Sequence, residues 1–260
     1  MEVIKVAVPK VSAVRFSKEQ FMALSPAERE LFIRVGIAQN DLMVTSRLWG
    51  AHLFRQPPIS KVALDAHVIQ QMTTLFLFLG KLFEAIRVFE TRFQRTLLST
   101  EYQKQFNPKQ LEAVRTLNAA NGKTRLWAAI RNSFAFHPHD ADLSKFMGDC
   151  CDPGQVLSIY FGDPDGNSMS SFAVEPLYAS FMKLTGKSDP QEGLRYVQQG
   201  ASDLLQAFRD FAVAVQTTII FKMLGTKPTL EKCAIDISEF LPQDHISLPF
   251  FMAKATRYNA

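Results

Sequence analysis

Arg131, Asn132 and His137 carry the chemistry that this sequence offers most clearly. Arginine is a permanent cation whose planar fork matches phosphate oxygens. Histidine takes up or releases a proton near neutral pH. Asn132, next to the arginine, can orient either side chain by hydrogen bonding. Together these groups suit phosphodiester chemistry that needs no metal. They sit in Arg131-Asn132-Ser133-Phe134-Ala135-Phe136-His137-Pro138, at the end of an apolar segment (Leu126, Trp127, Ala129, Ile130) that reads as helix. On a regular helix six residues turn through about 600°, which leaves Arg131 and His137 roughly 120° apart. Pro138 pushes the residue before it out of the helical region, so the His137 ring can swing back towards the arginine. Ala128 and Ala135, one turn either side of Arg131, leave a shallow surface for a substrate backbone or a second helix. The same residues equally suit an ion pair for Arg131, with His137 at the negative end of a helix dipole.

An arginine, a polar residue and a histidine after four further positions, at the end of a late helix in a helical chain, resemble the HEPN superfamily, and His137-Pro138 resembles the way that motif often closes. The likeness covers residues 25–138 in pattern and only these few residues in identity. It implies an all-α fold, an antiparallel helical bundle with long helices. It also implies a metal-independent endoribonuclease, since many members are ribonucleases that act as toxins or in phage defence. The catalytic set would be Arg131, Asn132 and His137, with RNA as substrate and an antitoxin or regulatory protein as partner. Other members have lost catalysis and bind nucleotides, RNA or proteins, which is the alternative expectation. Family members pair two motifs across a dimer cleft, so a homodimer is expected, with two motif helices facing each other.

Supporting candidates are Glu84, Arg87 and His139. Glu84 and Arg87 are spaced to pair on one helix face, and they line the site only if that helix packs on the motif helix. His137 and His139 with Asp140 and Asp142 are a conceivable metal set, but no helical His pair supports it and a solvated loop is the preferred reading. No metal and no cofactor are expected: neither GxxxxGK[ST] nor GxGxxG occurs.

The elements that must hold these residues are mostly helical. The chain has 260 residues, 47% of them hydrophobic and 21% charged, with a formal net charge of +4. That balance suits a globular protein and is compatible with an RNA partner. Cys150, Cys151 and Cys233 form no CxxC pair, which points to a reducing cytoplasm. The apolar run Leu75–Leu79 is too short to span a bilayer, so no membrane contact is expected.

Residues 1–24 read as an extended N-terminal arm and 25–225 as one helical domain, with a HEPN-like core at 25–138. Ser25-Pro26-Ala27-Glu28 is a helix start, with serine as the cap and proline in the first turn. A second helix should run from about Ser60 to Leu98, bending near Gly80. Pro108 should open a third, broken at Asn121-Gly122, before the motif helix. A small β-hairpin is expected after the motif helix, near 156–174, followed by a C-terminal helix at 189–224. Residues 226–260 read as a tail with little periodicity.

Overall fold

The computed structural model describes residues 11–53, 60–130, 158–161, 168–176, 184–226 and 228–233. Among them the chain is predominantly helical, as expected. The helices are α1 (Lys18–Met22), α2 (Pro26–Leu53), α3 (Lys61–Val88), α4 (Leu97–Gln103), α5 (Pro108–Ile130) and α6 (Pro190–Leu224). Four short strands, β1 (Val11–Ala13), β2 (Ile159–Tyr160), β3 (Met169–Ser170) and β4 (Glu231–Cys233), form two separate two-stranded sheets.

Local chemistry accounts for most helix ends. At α2 the Ser25 N–H and hydroxyl donate to Glu28 Oε2 at 3.0 and 2.7 Å, and Glu28 N–H donates back to Ser25 Oγ at 3.3 Å. This reciprocal cap satisfies donors that a helix start otherwise leaves open. Asn107 and Gln110 make the equivalent exchange before α5, at 2.9 and 3.0 Å. Asp189 accepts from Gln191 N–H at 3.0 Å and begins α6, which ends at Gly225 with a φ of 67°. That left-handed conformation is one that glycine adopts without strain.

Two expected boundaries are corrected. The second helix does not run unbroken to Leu98. It passes at Phe89 into a π-helix, Phe89–Gln94, and stops at Thr96. Thr96 has φ −122° and ψ 163°, and its hydroxyl donates to the Phe93 carbonyl at 2.8 Å. A threonine side chain competing for a backbone carbonyl is a sufficient helix breaker. Conversely, Asn121-Gly122 does not break the third helix, because α5 continues through both to Ile130. A glycine costs a helix about 1 kcal/mol, whereas stopping and restarting requires a new nucleus. Gly80, where a bend is expected, is buried and lies within α3.

The chain divides into two compact units, each assembled from separate segments. One comprises 1–44, 81–124 and 201–246. In it α2 and α3 run antiparallel, since Asp41 pairs with Lys81 at 2.8 Å and Glu30 with Arg92 at 3.3 Å. The buried stripe of α2 (Leu31, Val35, Ala38, Leu42) recurs every three or four residues, as an amphipathic helix requires. At the centre of this unit is an aromatic cluster. Phe211 meets Phe89 and Phe93 edge-on, each at 5.0 Å, and lies 5.9 Å from Phe208, while Phe93 stacks on Phe106 at 6.1 Å. The π-helix places both Phe89 and Phe93 in this core, and neither is exposed at all. β1 pairs antiparallel with β4, Val11 opposite Cys233, and Arg15 Nε bonds Glu231 at 2.7 Å. Of the expected arm, Val11–Ala13 is a strand and Lys18–Met22 a helix, and the strand's partner lies in what the sequence presents as an aperiodic tail.

The second unit comprises 45–80, 125–200 and 247–260. In it Trp49 stacks on Phe78 at 5.3 Å with the rings 8° from parallel, beside buried Met72, Leu75 and Leu79. The expected hairpin strands are present and short: Ile159 pairs with Ser170 and Tyr160 with Met169. Tyr160 donates to Asp65 on α3 at 2.8 Å.

Among the described residues one helix, Gln191–Leu224, is long and apolar enough to cross a bilayer by composition, yet 56% of that window is buried inside the fold. Its second half carries Phe208, Phe211, Val215 and Ile219, all without exposure. It is a core helix. Phe211→Ala should lower unfolding free energy by about 3–5 kcal/mol with an unchanged denaturant slope, measured by urea unfolding.

Candidate functional site

Helix α5 carries the chain through Ile130, the residue immediately before Arg131. Arg131, Asn132, His137 and His139 themselves lie outside the described residues, as do Asp140 and Asp142. Glu84 and Arg87, the other two candidates, are on α3. They do not share an environment. Arg87 is exposed, whereas Glu84 is half-buried and lines a groove of about 120 Å³ between α2 and α3. The groove has an apolar floor of Ala38 and Ala85 flanked by Ile37 and Val88, with Arg34, Asp41 and Lys81 around it. Asp41 and Lys81 are salt-linked, and Arg34 bonds Glu30 at 2.9 Å. The groove thus offers charges already tied to one another above a small apolar floor.

The strongest electrostatic arrangement among the described residues was not legible as a site in the sequence. Glu28 is 1% exposed. Besides capping α2 through Ser25, its carboxylate accepts from Tyr102 Oη at 2.6 Å and from Lys222 Nζ at 2.6 Å. Burial pushes the Glu28 carboxyl upward, but hydrogen bonds from Lys222, Tyr102 and the Ser25 side chain and backbone outweigh it and hold it at about 2. Burial, followed by the hydrogen bond to Glu28 and its charge, drives the Tyr102 phenol upward. The hydrogen bond to Glu28 holds Lys222 upward against its own desolvation, and Glu101, 3.7 Å from Nζ, adds to the effect.

These shifts decide the role. Each group is fixed in one protonation state across the neutral range: carboxylate, phenol and ammonium. A general acid or base needs a pKa near the working pH, so this centre is a lock rather than a proton-transfer site. Sequence reading assigns Glu28 to the first turn of a helix and stops there. Its partners are 74 and 194 residues away, and nothing in their spacing announces them.

The lock has a pH signature with a definite sign. A carboxyl depressed from 4.5 to about 2 contributes stability that is full above pH 4.5 and lost as pH falls towards 2. Lys222→Met keeps the stem and removes the ammonium. It should cost about 2 kcal/mol at neutral pH, less than a fully buried pair because Lys222 is half-exposed. The gap between wild type and variant should close as pH falls through that window, read by urea unfolding from pH 7 to 2.5. A gap that stays constant would show that Glu28 is not the group responding. Comparison of this chain with protein-family models, with curated proteins and with solved structures found no match.

Proposed function

We propose that this chain is a HEPN-like, metal-independent endoribonuclease with Arg131, Asn132 and His137 as its catalytic set. The observation that carries the reading is the spacing of these three residues in a predominantly helical chain, directly after the long helix α5. His137 takes the proton from a ribose 2′-hydroxyl, and the 2′-oxygen attacks the adjacent phosphorus. Arg131 stabilises the charge that develops on the phosphate oxygens, and Asn132 holds the geometry. The 5′-oxygen leaves and is protonated, giving a 2′,3′-cyclic phosphate and a 5′-hydroxyl. A single Arg/His pair is a sparse set, so the active form is a homodimer that brings two motifs together. The reading places the chain in the cytoplasm, as a toxin or phage-defence ribonuclease held in check by an antitoxin or regulatory protein.

A second reading is favoured by one observation: Lys and Arg are not concentrated around the motif. On that reading the module binds RNA, a nucleotide or a protein partner without cutting.

RNA digestion by the purified protein in EDTA separates them. Wild type should release 2′,3′-cyclic phosphate ends with a rate that follows a histidine-like group near neutrality. His137→Ala should reduce cleavage by about 100-fold or more, the scale of a lost general base. Arg131→Lys should also be crippled, because lysine keeps the charge and loses the fork. Cleavage that survives both substitutions would move the site elsewhere. Absence of cleavage with retained RNA binding would establish the second reading.

A further inference from the structure

Helix α2 carries two apolar stripes, and the fold uses one. Leu31, Val35, Ala38 and Leu42 face inward and are at most 8% exposed. Ile33 lies two residues from Leu31, about 200° round the helix, and so begins the opposite face. Ile33, Ile37, Asn40 and Val44 follow one another at spacings of four, three and four, the repeat of a helix-pairing seam. The three apolar members are 49%, 57% and 59% exposed, and Asn40 is exposed as well. Arg34 and Asp41 edge this face beside the groove.

The seam is complementary to itself when reversed. Laid antiparallel about an axis between Ala38 and Gln39, Ile33 meets Val44 of a second copy and Ile37 meets its Asn40. The flanking positions then bring Arg34 of each copy to Asp41 of the other, twice, adding an opposite charge to the pairs that Arg34 and Asp41 already make with Glu30 and Lys81. A polar residue within such a seam fixes register and partner number, and Asn40 occupies that position. Gly36, on the seam's edge, supplies an independent observation. It is helical and half-buried, and no heavy atom lies within 4 Å of where a Cβ would sit. Glycine weakens a helix interior, and among the described residues nothing crowds that position. A bare backbone there suits close approach by a second helix.

We propose that the outer face of α2 is a docking surface for a second copy of this chain, antiparallel and two-fold, with Arg34 and Asp41 setting the register. This contact is read from α2 alone. It is separate from any pairing of Arg131/His137 motifs and holds whether or not the protein cuts RNA.

Charge exchange tests it in the full chain by native mass spectrometry and light scattering at micromolar concentration. Wild type should self-associate through this face, in addition to any pairing of Arg131/His137 motifs, and Ile37→Glu should weaken that contact by at least about 30-fold, the scale of a central interface residue. Ile37 is exposed, so circular dichroism and melting of that variant should match a wild-type sample diluted to monomer. Arg34→Asp and Asp41→Arg should each weaken self-association, because each places like charges together twice. Mixing these two variants should restore a dimer made of one chain of each, since both contacts then become attractive. A wild-type monomer, an assembly state unchanged by Ile37→Glu, or a mixture that fails to pair would each overturn the proposal. Persistence in Ile37→Glu would direct attention to motif pairing, whose own test is the cleavage assay.

Discussion

A carboxylate taken almost wholly out of water must find compensation, and the arrangement around Glu28 shows how much of a fold one such group can organise. Desolvating an ion costs several kcal/mol unless its lone pairs are filled by well-placed donors. Glu28 receives donors from the residue that starts its own helix, from a tyrosine on α4 and from a lysine near the end of α6. These elements meet at one charge, beside a core of phenylalanines that any similar set of apolar side chains could fill. Hydrophobic packing is tolerant of exchange, whereas a buried charge tolerates few arrangements. The carboxylate constrains which packings of this unit are open to it, and the aromatic cluster around Phe211 contributes large, fully buried side chains beside it.

Legibility from sequence followed the range of the interaction concerned. Helix starts were readable: the Ser25 cap before α2 and the 189–224 bounds of α6 rest on local signals acting over three or four residues. So were the two short strands β2 and β3. Boundaries set by competition between local terms were misread. At Asn121-Gly122 helix cooperativity outweighed two poor helix formers, and at Thr96 a single side-chain hydrogen bond outweighed a run free of proline. Pairings across the whole chain, such as Val11 with Cys233 or Glu28 with Lys222, have no short-range signature at all. For the candidate site, residue types and spacing at Arg131, Asn132 and His137 are the legible part. The company kept by Glu84, in a groove with Arg34 and Lys81, depended on the antiparallel register of α2 and α3.

α2 is the element on which these threads converge. Its first turn holds the buried carboxylate, its inner stripe fills the core, and its outer edge borders the groove. A helix committed on so many sides has little freedom to shift, which makes it a rigid base for anything that binds along it. The contrast between its two stripes is informative in itself. The inner one is matched by the chain's own phenylalanines and leucines, while the outer one keeps large aliphatic side chains in water.

The separation of Glu28 from Lys222 also sets an order of events during synthesis. At 5–20 residues per second, the ribosome needs about 10–40 s to add the 194 residues between them. Throughout that interval the carboxylate has no lysine, β1 has no β4, and Phe89 and Phe93 lack Phe211. Until then α2 and α3 have one another to pack against but not α6, and the Glu28 carboxylate lacks the cation that holds it in the folded unit. Arrival of α6 supplies the missing ring and the missing cation within a dozen residues of each other. Completion of this unit is thereby tied to completion of α6, the last of the described helices.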